Sequence, residues 1–228
     1  MFPLYCSGKR RSFVTIPPNS MVFAIDDDAS VRKSLTRLLR SAGYESEIFK
    51  SASDFLARPP HSGSSCVIVD VQMPGLNGIE FQKELIRRRR EEHLIFITGY
   101  GDIPMCAQAM KAGAVDFLPK PFRHDELLRC IDNALIRSVE ERQSSAEKNE
   151  ARRLLDLLTP REFEVMELVI TGMLNKQIAG ELRAAEKTVK VHRHRVMQKV
   201  GVASVADLVR LVQKAGLTPG ARPKTKVL

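Results

Sequence analysis

The chain has 228 residues, 43% hydrophobic and 28% charged, enough apolar material for one large domain or two small ones, which excludes a disordered or fibrous chain. Its net charge of +9 is unevenly placed: 1–20 carries +3, 21–138 is neutral, 139–158 is −1 and 159–228 carries +7. A basic segment beside a neutral one points to a compact module for a polyanion, nucleic acid first. No apolar run approaches the roughly 20 residues that span a bilayer, and no signal-peptide core is present, so no membrane partner and a cytoplasmic location are expected. Cys6, Cys66, Cys106 and Cys130 lack metal-ligand spacing and are expected to be reduced, with Cys66 and Cys130 in the core.

Residues 1–20 fit no element; they are a basic extension, or Met21 is the start. From 21 to 138, short β-branched runs at 21–25, 45–49, 66–70, 94–98 and 116–120 alternate with helical periods. Val31, Leu35, Leu38, Leu39 and Ala42 follow one helix face, as do Leu127, Ile131, Ala134 and Leu135, and Gly43 closes the first helix. Five strands alternating with helices predict an α/β domain with a parallel sheet.

Residues 139–155 are almost wholly polar and of mixed sign, either a linker or an extension of the preceding helix. Thr159-Pro160-Arg161-Glu162 is a capping box with Pro at the first helical position, and Gly172 ends the helix it starts. Further helices are predicted at 175–182, 186–200 and 205–214, the first two joined by a very short turn, an all-α helix-turn-helix domain over 156–217. A basic tail, 218–228, follows.

Two groups of residues carry chemistry. Asp26-Asp27-Asp28, Asp70, Thr98 and Lys120 fall at the C-terminal ends of four predicted strands, the edge where open α/β sheets bind ligands. Converging carboxylates repel unless a cation neutralises them, and a hard divalent ion, Mg²⁺ above all, suits oxygen donors. One carboxylate can then act as nucleophile toward a phosphoryl group while metal, ammonium and hydroxyl take up its charge. In 186–200, winding at about 100° per residue puts Val189, His192, Val196 and Val200 on one face and Lys187, Val191, His194 and Gln198 on the other, with Lys190 and Arg195 beside them. An apolar back and a basic front suit the DNA major groove. Arg87 to Arg90 read as a solvated helix end balanced by Glu91 and Glu92.

FAIDDD, VIVDVQMPGLNG, IFITGYGD and AMKAGAVDFLPKPF resemble the receiver domain of two-component response regulators, and 156–217 resembles a LuxR-type DNA-binding domain, the pairing of the NarL/FixJ class. The resemblance implies a flavodoxin-like receiver in which Asp70 accepts a phosphoryl group from a sensor histidine kinase. Asp26, Asp27, Asp70 and the backbone carbonyl of Gln72 would hold Mg²⁺, Thr98 and Lys120 would assist, and Phe117 would take the aromatic switch position. It also implies a cis Lys120-Pro121 bond, and a dimer surface formed by about 102–113 and 116–138. In the C-terminal domain, Lys190, Val191 and His194 match base-contacting positions, and Lys176, Lys187, Thr188, Arg193 and Lys199 match candidates for the phosphate backbone. Arg183-Ala184-Ala185 departs from the family's turn, which commonly carries glycine and then a serine cap.

The reading is a DNA-binding response regulator: phosphorylation of Asp70 promotes a homodimer that engages double-stranded promoter DNA, with RNA polymerase a further candidate partner. It is not an enzyme on an external substrate, although slow hydrolysis of its own aspartyl phosphate is expected. A receiver whose C-terminal helices dock on a protein, or a small-molecule phosphatase, are the rivals. The first would show no salt-dependent DNA binding, and the second lacks chain for a substrate pocket.

Overall fold

The computed structural model describes residues 16–99, 107 and 109–217. Five parallel strands, β1 (Met21–Ile25), β2 (Ser46–Phe49), β3 (Ser65–Asp70), β4 (His93–Thr98) and β5 (Asp116–Pro119), stand in the order β2-β1-β3-β4-β5, the flavodoxin-like order expected. Alternation along each strand divides the core into two layers. Val22, Ala24, Cys66, Ile68, Ile95 and Ile97 face helices α1 (Ala29–Ser41) and α4 (His124–Leu155). Phe23, Ile25, Val67, Val69, Leu94 and Phe96 face α2 (Ala52–Ala57) and α3 (Gly78–Arg87). Every residue of β3 is buried, as a strand covered on both faces must be.

Local chemistry sets the helix ends. Asp28 caps α1 through bonds from the Ser30 and Val31 amides, and Gly43 follows its C-cap at φ +83°. Residues 16–20 are not separate from this domain: Ile16 packs against the first layer, and Ser20 is buried with its hydroxyl 2.7 Å from that of Ser64. Residues 1–15 and the tail 218–228 lie outside the described residues.

The chain divides into two compact units at Arg142 and Gln143, and α4 is continuous for 32 residues, so 139–155 takes the helical alternative. Its first part belongs to the first unit, where Ser138 accepts from the Ser65 amide and Glu141 pairs with His93 at 3.4 Å. Its last part belongs to the second unit, where Ala151 and Leu155 are buried and Arg152 donates to the Ala215 carbonyl at 2.9 Å. That unit adds α5 (Pro160–Ile170), α6 (Asn175–Glu181), α7 (Glu186–Val200) and α8 (Val205–Lys214) around Val165, Met166, Ile178, Val189, Val196 and Leu208. Thr159 and Glu162 form the expected capping box, and Gly172 has φ +88°.

The arginine run at the end of α3 differs from its reading as a solvated helix end. Arg87, Arg88 and Arg89 are exposed, but the Arg90 side chain is 4% exposed, paired with Glu92 and bonded to the Arg58 carbonyl. The guanidinium also lies 4.9 Å from the centre of the Phe55 ring, so burial is sustained by a carboxylate, a carbonyl and an aromatic face together.

Cys66 and Cys130 are buried free thiols. Burial, helped by the Asp116 carboxylate that accepts its S–H at 3.0 Å, pushes the Cys130 thiol up to about 12, so it carries no thiolate near neutral pH. No helix among the described residues is long and apolar enough to cross a membrane.

Candidate functional site

The strand order reverses between β1 and β3, and the crevice at their C-terminal ends is lined by Asp26, directly after β1, and Asp70, the last residue of β3. Lys120, one residue beyond β5, reaches both: its Nζ donates to Asp26 Oδ2 at 2.9 Å and to Asp70 Oδ2 at 2.6 Å. The remaining carboxylate oxygens are aimed by backbone amides, Asp28 N–H donating to Asp26 Oδ1 at 2.9 Å and Gln72 N–H to Asp70 Oδ1 at 3.0 Å. Asp27 is exposed, and ligand atoms of Asp26, Asp27 and Asp70 lie within 4.8 Å of one another. The sequence-expected carboxylates and lysine are thus brought together, and the Lys120-Pro121 peptide is cis.

The charges are only partly balanced. Burial raises the Asp26 carboxyl above the usual range, against the pull of Lys120 and of the Asp28 amide. Burial also opposes the Lys120 ammonium, but the hydrogen bonds to Asp70 and Asp26 outweigh it and hold its pKa above the ordinary lysine value. One ammonium among three carboxylates leaves Asp26 short of compensation, and the donors are all hard oxygens. The residues therefore fit a small divalent cation such as Mg²⁺.

Thr98 ends β4 at the same edge and is fully buried, with the Lys120 amide donating to its carbonyl at 2.6 Å. Phe117, in β5, is partly buried with its ring centre 6.3 Å from that of Phe96. Of the surface expected to form a dimer, 102–106 and 108 lie outside the described residues.

Two residues that the sequence reading does not single out also build the pocket. Arg32, on α1, donates through Nη1 to the carbonyls of Asp26 at 2.8 Å and Asp27 at 2.7 Å. Gly78 opens α3 against the end of β3, where a Cβ would come within 2.7 Å of the Asp70 carbonyl oxygen and 2.9 Å of Val71 Cα. The six-residue spacing of Asp26 and Arg32 is visible in the sequence, but which acceptors the arginine finds is not.

In the second unit, the winding of α7 is as expected: Val189, Val196 and Val200 are buried and Lys187, Thr188, Lys190, Val191 and His194 are exposed. His192 is half-buried on the inner side, and Lys190 pairs with Glu186 one turn back at 3.2 Å. Lys176 is exposed near the start of α6, whereas Arg193 is half-buried and donates to Asn175 Oδ1 at 3.2 Å. Lys199 is exposed near the end of α7 and also meets an acidic partner inside the unit. Its ammonium donates to Glu162 Oε2 at 2.6 Å and to the Leu157 carbonyl at 3.2 Å, because the nearly buried Glu162 carboxylate requires a cation. The unusual turn is visible in the backbone: Arg183 has φ +48°, the conformation in which glycine is unstrained, and Ala185 caps α7 without a side-chain bond.

Comparison with known proteins agrees with both units. The response regulator receiver domain model matches residues 22–132, and the model for bacterial regulatory proteins of the luxR family matches 156–212. The chain is 45% identical to nodulation protein W of Bradyrhizobium diazoefficiens over 91% of this chain and 92% of that protein. It is 44% identical to response regulator protein TodT of Pseudomonas putida over 86% of each. A structure of response regulator StyR superposes with a TM-score of 0.76 at 50% identity, covering 86% of this chain and 99% of that one. Full-length FixJ from B. japonicum gives 0.52 at 40% identity, covering 86% and 97%. With an acidic strand-end pocket in one unit and a basic helix-turn-helix in the other, the chain belongs to the DNA-binding response regulators that join a receiver domain to a luxR-type domain.

Proposed function

We propose that Asp70 accepts a phosphoryl group from a phosphohistidine of a sensor histidine kinase, and that this promotes receiver dimerisation and promoter binding in the cytoplasm. The observation that carries the reading is the convergence of Asp26, Asp27, Asp70 and Lys120 at the sheet's switch point. Asp26, Asp27, Asp70 and the Gln72 carbonyl would hold Mg²⁺, which when bound neutralises charge on the phosphoryl oxygens. An Asp70 carboxylate oxygen forms the new bond to phosphorus as the donor's N–P bond breaks, and the imidazole nitrogen keeps the electron pair. Lys120, already 2.6 Å from Asp70, balances the transferred charge, and the Thr98 hydroxyl takes up a phosphoryl oxygen.

The readout is a population shift. With Thr98 drawn toward the phosphoryl group, Phe117 turns inward, and the surface around 102–113 and 116–138 favours a second receiver. A symmetric dimer then places two α7 helices on an inverted repeat, Lys190, Val191 and His194 toward bases and Lys176, Lys187, Thr188 and Arg193 toward phosphates. RNA polymerase is the further partner of such a complex. The protein turns over no external substrate; water slowly hydrolyses its own aspartyl phosphate.

Intact-mass measurement after incubation with acetyl phosphate tests the site. A gain of one phosphoryl group that needs Mg²⁺ and is absent from a folded Asp70→Asn variant is expected. A gain that persists in the variant would refute Asp70 as the acceptor.

A further inference from the structure

We infer that Arg32 is a positioning residue for the pocket's cation: it aims the Asp26 and Asp27 carboxylates by holding the peptide groups between β1 and α1. This rests on the metal reading above and concerns a residue outside the site assigned there.

The segment from Asp26 to Asp28 must turn the chain from a strand into a helix while presenting two successive acidic side chains to one point. Asp28 is committed to capping α1, its carboxylate accepting from the Ser30 amide at 2.6 Å. Asp26 is fixed at its side chain by Lys120 and the Asp28 amide. Asp27 is exposed, and the guanidinium of Arg32 reaches its backbone. A single Nη1 meets both consecutive carbonyls, at 2.8 Å and 2.7 Å. Two carbonyls drawn to one donor set the peptide plane between them, and with it the direction in which the Asp27 side chain leaves the backbone. Arg32 is the fourth residue of α1, so the rigid helix transmits its position to the loop.

Charge and geometry make opposite demands here, which separates them experimentally. As a cation held at the backbone carbonyls of Asp26 and Asp27, Arg32 opposes a second cation by Coulomb repulsion, so removing it for charge alone would tighten metal binding. As the clamp on the loop it favours the metal, and removing it weakens binding. Groups one step outside a metal's ligands commonly contribute about tenfold or more to its affinity.

The test is titration of the full chain with Mn²⁺, a stand-in for Mg²⁺, with free Mn²⁺ counted by its electron paramagnetic resonance signal. Wild type, Arg32→Ala and Arg32→Lys are compared well below their melting temperatures, with circular dichroism reporting the fold. Affinity about tenfold weaker in Arg32→Ala is expected, with a smaller loss in Arg32→Lys, which keeps the charge but not the planar reach. Unchanged or tighter binding in folded Arg32→Ala overturns the inference and leaves the metal reading standing, including where the variant merely melts earlier. Should Arg32→Ala not fold, Arg32→Lys decides by the same criterion, weaker binding supporting the inference and equal binding overturning it. If wild type binds no Mn²⁺, the metal reading itself fails and the inference with it.

Discussion

The ammonium of Lys199, near the end of α7, lies 2.6 Å from the carboxylate of Glu162 in the first turn of α5, joining positions 37 residues apart. The lysine's hydrogen bond, with the Thr159 amide of the capping box, holds the Glu162 carboxyl down to about 2. A carboxyl whose folded pKa lies below its ordinary 4.5 contributes stability above that pH and loses it as the pH falls toward 2. Lys199→Met is therefore expected to lower the stability of the C-terminal unit at pH 7 by about 1–2 kcal/mol, the lysine's partial exposure keeping the figure small. Thermal melts at a series of pH values check this: the gap from wild type should close between pH 4.5 and 2, and a gap independent of pH would contradict it.

Salt dependence distinguishes the lysines of α7. Lys190, exposed on the outer face of α7 and proposed above as a DNA contact, should reduce the slope of log affinity against log salt by about 0.9 when replaced by alanine, if it neutralises a phosphate, or lower specificity if it reads a base. Lys199→Met should leave that slope unchanged, since its ammonium is already spent on Glu162. Fluorescence anisotropy on a promoter fragment at several salt concentrations measures both.

The turn before α7 holds removable strain. A side chain in the left-handed region costs about 1–2 kcal/mol, and an alanine cap about 1 kcal/mol relative to serine. Arg183→Gly, at φ +48°, and Ala185→Ser are each expected to stabilise the helix-turn-helix by about 1 kcal/mol, seen as a higher melting temperature of the C-terminal unit. A fall in melting temperature for Ala185→Ser would mean that the serine hydroxyl does not reach the α7 amides.

Gly78→Ala should impair the pocket without touching a charged group. Its Cβ would meet backbone at 2.7 Å and 2.9 Å beside Asp70, so either β3 or α3 must shift. A destabilisation of about 1–3 kcal/mol by denaturant unfolding, together with slower phosphorylation by acetyl phosphate, is the expected result.

Much of this architecture is local information. The β-branched runs place all five strands within a residue of their observed ends, because strand alternation needs no more than neighbouring side chains to be read. The Thr159 capping box, the left-handed Gly43 and Gly172, and the apolar face of α7 are likewise written in spacings of three or four residues. Strand-end placement was enough to gather Asp26, Asp70 and Lys120, since a parallel sheet brings the C-terminal ends of its strands to one edge.

What periodicity encodes is the side of an element that faces inward, and the sequence by itself determined that much, with the family that its motifs spell. Only the tertiary structure decided which long-range partner each charged side chain meets. Lys199 meets the buried Glu162 from 37 residues away, and Arg90, which reads as solvent-exposed charge in the sequence, lies between Glu92 and the Phe55 ring. The same holds for the two Arg32 acceptors, and for 139–155, where polar composition fits a linker and a helix equally. A charge must be neutralised or solvated, and which of these happens depends on groups that the fold brings near, not on neighbours in the chain.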